Sequence, residues 1–270
     1  MKRAILFIAA LLMGATAMAQ HTREVILFGH RGSRFEFDEN TMAAFKGMHD
    51  KGINGFETDI RLTKDGELVI SHDSSLDRLT PHQGKVEEMT RKQISKVRTD
   101  KGNPIAFVDE MCEWLSECNG MYVEFEMKTN DYTQEQLDVY CEKLYKIAMA
   151  RKPVNSTYLF TSFDKRALQT MQRLHPDADL MFILGTPITD DAIKQAKDLG
   201  VKRLACNMGG TSRTMVDKAK KEGLIVSLWP GQSIEDFILG VALGADALCC
   251  DMAVGVKDFA KKNMPWVTIK

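Results

Sequence analysis

The sequence has no surplus of charge of either sign: 36 lysines and arginines stand against 37 aspartates and glutamates, a formal net charge of -1. Nucleic-acid binding draws on a clustered basic excess, so bulk electrostatics gives no basis for it here. Past residue 20 there is no apolar run long enough to cross a bilayer, which takes roughly 20 apolar residues in a row. No cysteine–histidine spacing resembles a zinc site. The six cysteines, Cys112, Cys118, Cys141, Cys206, Cys249 and Cys250, do not follow the spacing of a disulfide framework. A chain of 270 residues can in any case stabilise itself by core burial. Cys112 and Cys118 flank a helix turn and could pair. Cys249 and Cys250 are adjacent in an apolar strand, so one of them faces the core as a small hydrophobe. No low-complexity linker marks a domain boundary.

The first twenty residues, "MKRAILFIAALLMGATAMAQ", are of another kind. Lys2 and Arg3 give a positive start, an apolar run follows from Ala4 to Met13, and Ala17, Met18 and Ala19 form an A-x-A site. This is the layout of a secretory signal peptide. Cleavage after Ala19 is expected, leaving 20–270 as one domain, exported to the periplasm or secreted, with no stable membrane anchor.

Beyond it, short apolar runs alternate with amphipathic stretches. Strands are expected at 25–30, 55–63, 121–128, 156–163, 179–184, 201–207, 224–230 and 246–251. Helices are expected at about 41–50, 108–118, 133–150, 165–174, 189–199, 212–222 and 233–243, with Asn40 as the cap of the first. A further strand at 67–73 is joined to the second by the turn signal "KDG". Eight strand–helix units in about 250 residues predict an α/β fold, a (β/α)8 TIM barrel with a short insertion after the second strand.

In such a barrel the chemistry gathers where the strands end. The first strand ends in His30-Arg31-Gly32. The second carries Glu57 and Asp59, two residues apart and so on one face. The excursion ends in His72-Asp73, the third strand carries Glu126 and Lys128, and the seventh reaches Trp229. Paired inward carboxylates repel, and a divalent cation resolves this; with Glu126 they make a three-oxygen site suited to Ca²⁺ or Mg²⁺. His30 and His72 can give and take protons near neutral pH on either side of a reacting phosphorus. Arg31 and Lys128 can hold phosphate oxygens, or else pair with Asp73 or Glu57. Trp229 can form an apolar wall for a substrate's alcohol end, or belong to the core. His49, His82 and His175 fall in helices or polar loops and read as surface residues.

The runs "HRG", "ENTMAAF", "ETD", "LTKDGELVISHD", "LDRLT" and "EFEMK" resemble the glycerophosphodiester phosphodiesterase family in order and spacing. The resemblance implies a TIM barrel that hydrolyses a glycerophosphodiester, a small molecule, to sn-glycerol 3-phosphate and an alcohol. It implies metal binding by Glu57, Asp59 and Glu126, acid–base work by His30 and His72, and phosphate contact by Arg31 and Lys128. Glu39, in "ENT", would tie the first loop to the site. A glycerol hydroxyl beside the phosphoester could act as nucleophile and give a cyclic intermediate that water opens. The pattern departs at Asp38, where proline is usual, and at "LWPGQ" and "CCDMAVG" on the last two strands, where the leaving alcohol would bind. The alternatives are a phospholipase D-like enzyme or lyase acting on intact phospholipid, and a non-catalytic phosphate-ester binding module. Head-group preference and oligomeric state do not follow from the sequence.

Overall fold

The computed structural model describes residues 22–270; the expected signal peptide, 1–19, lies outside them. Eight parallel strands close on themselves: β1 (Arg23–Gly29), β2 (Gly55–Leu62), β4 (Tyr122–Met127), β5 (Thr157–Ser162), β6 (Leu180–Leu184), β7 (Arg203–Asn207), β8 (Ile225–Gly231) and β9 (Ala247–Cys250). A single bridge, Gly29 to Phe56, shuts the ring between β1 and β2. Each strand feeds a helix packed outside: α1 (Met42–Asp50), α3 (Val108–Leu115), α4 (Gln134–Met149), α5 (Lys165–Leu174), α6 (Asp190–Asp198), α7 (Arg213–Lys221), α8 (Ile234–Leu243) and α9 (Ala253–Asn263). This is the (β/α)8 TIM barrel, with the expected strands matched to within three residues at either end. No helix among the described residues is long and apolar enough to cross a membrane.

The buried strands split their side chains between two cores, because alternate residues face opposite sides of the sheet. Phe56, Ile60, Val123 and Phe125 face outward into the layer between barrel and helices. Phe28, Tyr122, Leu159, Met181 and Cys249 face inward and fill the barrel's lower half. Cys249 thus lines the interior and its neighbour Cys250 the outer layer, both buried. All six thiols, Cys112 and Cys118 among them, are free.

Two parts extend the barrel. After β2 the chain makes an excursion over 63–107. It opens with β3 (Leu68–Ile70), antiparallel to β2, and includes the four-residue α2 (Arg91–Ile94). Its own small core, with Val69, Leu76, Val86, Ile94 and Phe107, anchors it to the rim. At the other end β10 (Val267–Ile269) pairs with the start of β1, whose second half pairs with β9.

Three local expectations are corrected. Asn40 does not cap α1: the Thr41 hydroxyl accepts the Ala44 N–H and does so. Asn40 adopts a left-handed backbone (φ 57°) and turns its amide inward instead. His49 and His175 are not simple surface residues. Each fills a gap between outer helices, His49 edge-on to Trp114 and His175 stacked on Tyr145 with ring centres 3.7 Å apart.

Candidate active site

The register of β2 against β4 builds the acidic centre. Asp59 lies opposite Glu126 and Glu57 opposite Glu124, so four carboxylates point into the barrel from two neighbouring strands. One oxygen from each of Glu57, Asp59 and Glu126 falls within 4.8 Å of the others. All three residues are buried. Burial together with Asp59 and Glu126 pushes the Glu57 carboxyl well above its usual range. Burial also pushes Glu126 up, against the opposing pull of Lys128. For Asp59 the same burial is outweighed by Lys128, His72, Arg31 and Asn40, which hold its carboxyl well below the carboxylate range.

Lys128 Nζ sits 2.5 Å from Glu126 Oε1 and 3.1 Å from Asp59 Oδ1. These, and not Asp73 or Glu57, are its partners. Asn40 Nδ2 donates to Asp59 Oδ2 at 2.8 Å, and its carbonyl oxygen accepts from Thr58. Asn40 therefore orients a carboxylate of the triad. Glu57 Oε1 is buried and has no hydrogen-bond partner. An orphaned carboxylate oxygen aimed at two other acids is a costly arrangement by itself. Three hard oxygen donors around it fit a divalent cation such as Mg²⁺ or Ca²⁺.

The first loop is bent to serve this centre. His30 to Gly32 form a 3-10 turn beyond the end of β1, and Arg31, Gly32 and Ser33 all have positive φ (50°, 80° and 66°). Left-handed backbone costs an ordinary residue on the order of 1–3 kcal/mol, so the turn is held by its surroundings. Gly32 is needed twice over: a Cβ there would also come within 2.8 Å of the Ala44 Cβ. The turn aims the Arg31 N–H at Glu57 Oε2 (3.0 Å) and brings His30 Nε2 to 3.9 Å from the same oxygen.

Each histidine rests on a carboxylate through Nδ1. His30 donates to Asp251 Oδ1 at 2.6 Å, and Asp251 takes two further bonds from the Arg34 guanidinium, both 2.8 Å. Burial would raise Asp251, but His30 and Arg34 hold it down at about 2. His72 is bonded to Asp73 Oδ1 at 2.7 Å; Asp73 pairs with Arg78, Arg78 with Glu39, and Glu39 with Arg31. Glu39 thus joins the first loop to the excursion. Burial, with Lys128 and Arg31 adding to it, lowers the His72 pKa although Asp59 and Asp73 oppose.

These groups form the floor and one wall of a cup of about 150 Å³. The other wall is apolar: half-buried Trp229, Pro230, Ile183 and Phe163, whose ring stands edge-on to Trp229. Of the eight residues given metal, proton or substrate roles from the sequence, seven line this cup; the eighth, Asp59, is wholly buried and meets it through Lys128. Phe163 is legible from the sequence as the end of the fourth strand, though without a role; the site roles of Asp251, Asn40, Arg34 and Arg78 are not. The signal for Asp251 was present, a charged residue directly after an apolar strand, as for His30.

Residues 30–254 match the model of the glycerophosphoryl diester phosphodiesterase family. The chain belongs to this family. Among curated relatives, a glycerophosphodiester phosphodiesterase of Caldanaerobacter subterraneus subsp. tengcongensis is 25% identical over 230 residues, covering 84% of this chain and 94% of the relative. Among solved structures, a phosphodiesterase of Oleispira antarctica in complex with the product sn-glycerol-3-phosphate superposes with a TM-score of 0.80 at 21% identity. That match covers 87% of this chain and 96% of the other. A glycerophosphodiester phosphodiesterase of Parabacteroides distasonis superposes at 0.77 with 17% identity, covering 89% and 98%. At such identities the structures attest to the shared fold.

Proposed function

We propose that the protein hydrolyses glycerophosphodiesters to sn-glycerol 3-phosphate and an alcohol, with a divalent cation held by Glu57, Asp59 and Glu126 and with His30 and His72 as proton carriers. The observation that carries this is the grouping of three buried carboxylates, one with an orphaned oxygen, between two imidazoles that are each oriented by a carboxylate. A cation bound there supplies positive charge to phosphate oxygens and to a deprotonated hydroxyl.

The side chains do the rest. With Nδ1 bonded to carboxylates, His30 and His72 keep Nε2 free to exchange a proton, one taking it from the attacking oxygen and one giving it to the departing oxygen. Arg31 and Lys128 are fixed cations, each raised in pKa because neighbouring carboxylates outweigh burial, and they stay charged through the reaction. They are placed to hold non-bridging oxygens as charge builds on them. Trp229 and Phe163 form the apolar side of the cup, with Lys128 Nζ 5.9 Å from the centre of the Phe163 ring. The family membership and the relatives' activity support this reading, as does the expected export of the chain, which would place the enzyme where extracytoplasmic diesters are met.

The test is release of sn-glycerol 3-phosphate from glycerophosphodiesters of choline, ethanolamine, glycerol and inositol, with Ca²⁺, Mg²⁺ or EDTA present. Cation-dependent release is expected. Binding without turnover would point to a module, and turnover of intact phospholipid alone would point to a lipase; either overturns the proposal. A substrate without the hydroxyl beside the phosphoester should react far more slowly if that hydroxyl is the nucleophile.

A further inference from the structure

A second cavity of about 460 Å³ opens beside the cup. His72 and Lys128 line both spaces, so a phosphate held over the carboxylate triad has one ester arm directed along the apolar cup and the other free to enter this groove. The two spaces differ in chemistry. The cup's far wall is Trp229, Phe163 and Pro230, whereas the groove is walled almost wholly by charged and amide side chains.

Its cations are largely spoken for. Arg61 gives Nε and Nη2 to the His72 carbonyl and Nη1 to Glu87 (2.9 Å). Lys128 is held by Asp59 and Glu126. Glu87 is likewise engaged, by Arg61 and by the Ser74 hydroxyl. Among the described residues, Glu88, from the 3-10 turn at 86–88, and Asp131, from the loop after β4, form no ion pair, and of the groove's cations Lys85 alone is likewise unpaired. The unsatisfied charge in the groove is therefore negative, and Asn130 adds an amide oxygen that accepts hydrogen bonds, whereas the Gln136 oxygen is taken by the Thr133 N–H.

We propose that this groove, rather than the apolar wall at Trp229 expected from the sequence, is the subsite for the leaving alcohol and that it selects a primary amino alcohol, whose ammonium is met by Glu88 and Asp131. The proposal rests on the hydrolase reading above. A primary ammonium suits the site better than a quaternary one. It has three N–H donors for carboxylate and amide oxygens, whereas a trimethylammonium is recognised by exposed aromatic faces. The one aromatic in the lining, Tyr132, is buried, packs edge-on against Tyr140 and uses its hydroxyl to accept the Leu62 N–H.

The experiment compares kcat/KM for glycerophosphoethanolamine, glycerophosphocholine and glycerophosphoglycerol, in the wild type and in Glu88→Lys/Asp131→Lys. Both positions are exposed, so the double variant should fold; an unchanged melting temperature checks this. The wild type should prefer the ethanolamine ester to the other two. In the variant, the ratio of ethanolamine to glycerol ester should fall about tenfold, and the loss should shrink at high salt, as expected for two exposed charges. A ratio that does not change, or a wild type that prefers the choline ester, overturns the subsite while leaving hydrolysis intact. Failure of the wild type to release glycerol 3-phosphate from any of the three overturns the hydrolase reading, and the subsite with it.

Discussion

His30 rests on Asp251, whose side chain is wholly buried and clamped by Arg34, whereas His72 rests on Asp73, whose side chain is 34% exposed and belongs to the excursion. The first support is part of the barrel: β9 lies against β1, with Cys250 opposite Gly29, so the residue after each strand meets the other. The second is reached through Arg78 and Glu39, a chain of side chains from outside the barrel. Two imidazoles of matching chemistry are thus held with different rigidity. A group oriented by buried, charge-assisted bonds loses more when its support is removed than one whose support water can replace.

The largest effects should not distinguish the two. His30→Ala and His72→Ala should each lower kcat by roughly 10²- to 10⁴-fold, the range for a lost acid or base; near-normal turnover in either would remove that residue from the chemistry. The supports should separate them. Asp251→Asn should lower kcat by about 10- to 100-fold. It should also lower the melting temperature, because the partly buried Arg34 guanidinium loses its charged partner. Asp73→Asn should cost at most about tenfold, with little change in stability. Equal losses would show that the excursion holds its histidine as firmly as the barrel does.

A smaller contrast lies between Asn40 and Thr41, adjacent in the sequence. Asn40→Ala should weaken divalent-cation affinity by about tenfold, since it orients Asp59. Thr41→Ala should cost about 1 kcal/mol of stability through the lost cap, with cation affinity unchanged.

The smallest effect is in the pH dependence of stability. Burial pushes Glu124 up to about 8 and raises Glu57 and Glu126 as well. A group whose folded pKa is raised contributes stability that is lost as pH rises through that value. The cation-free protein should therefore melt lower as pH rises toward 8, by roughly 3 °C per pH unit. Excess cation should flatten the slope by stabilising ionised Glu57 and Glu126. Asp251 works in the opposite sense: its depressed pKa gives stability present above the unfolded carboxyl value and lost as pH falls toward about 2.

The fold was legible because each strand's apolar run and each helix's amphipathic stretch is local. Glu57, Asp59 and Glu126 were legible for the same reason: their facing follows from a period of two, and "ETD" and "EFEMK" show it. What was hidden depends on closure or on backbone shape. Asp251 meets His30 only because the last strand returns to the first. Arg78 reaches Glu39 across the excursion. The polar run "DENT" offers three residues suited to a cap, Asp38, Asn40 and Thr41, and only the left-handed turn at Asn40 decides that Thr41 takes the role. β10 has little sequence signal, since its residues are half-exposed and its pairing with β1 is supplied by the barrel.

The central claim is that the carboxylate triad holds a cation without which the histidines cannot act. The direct measurement is glycerol 3-phosphate release by EDTA-treated enzyme before and after Mg²⁺ or Ca²⁺ is restored, in the wild type and in Glu57→Gln. The account predicts that activity is lost with EDTA and returns with cation in the wild type, and that it does not return in the variant. Full activity in EDTA, or an undiminished Glu57→Gln enzyme, would contradict it.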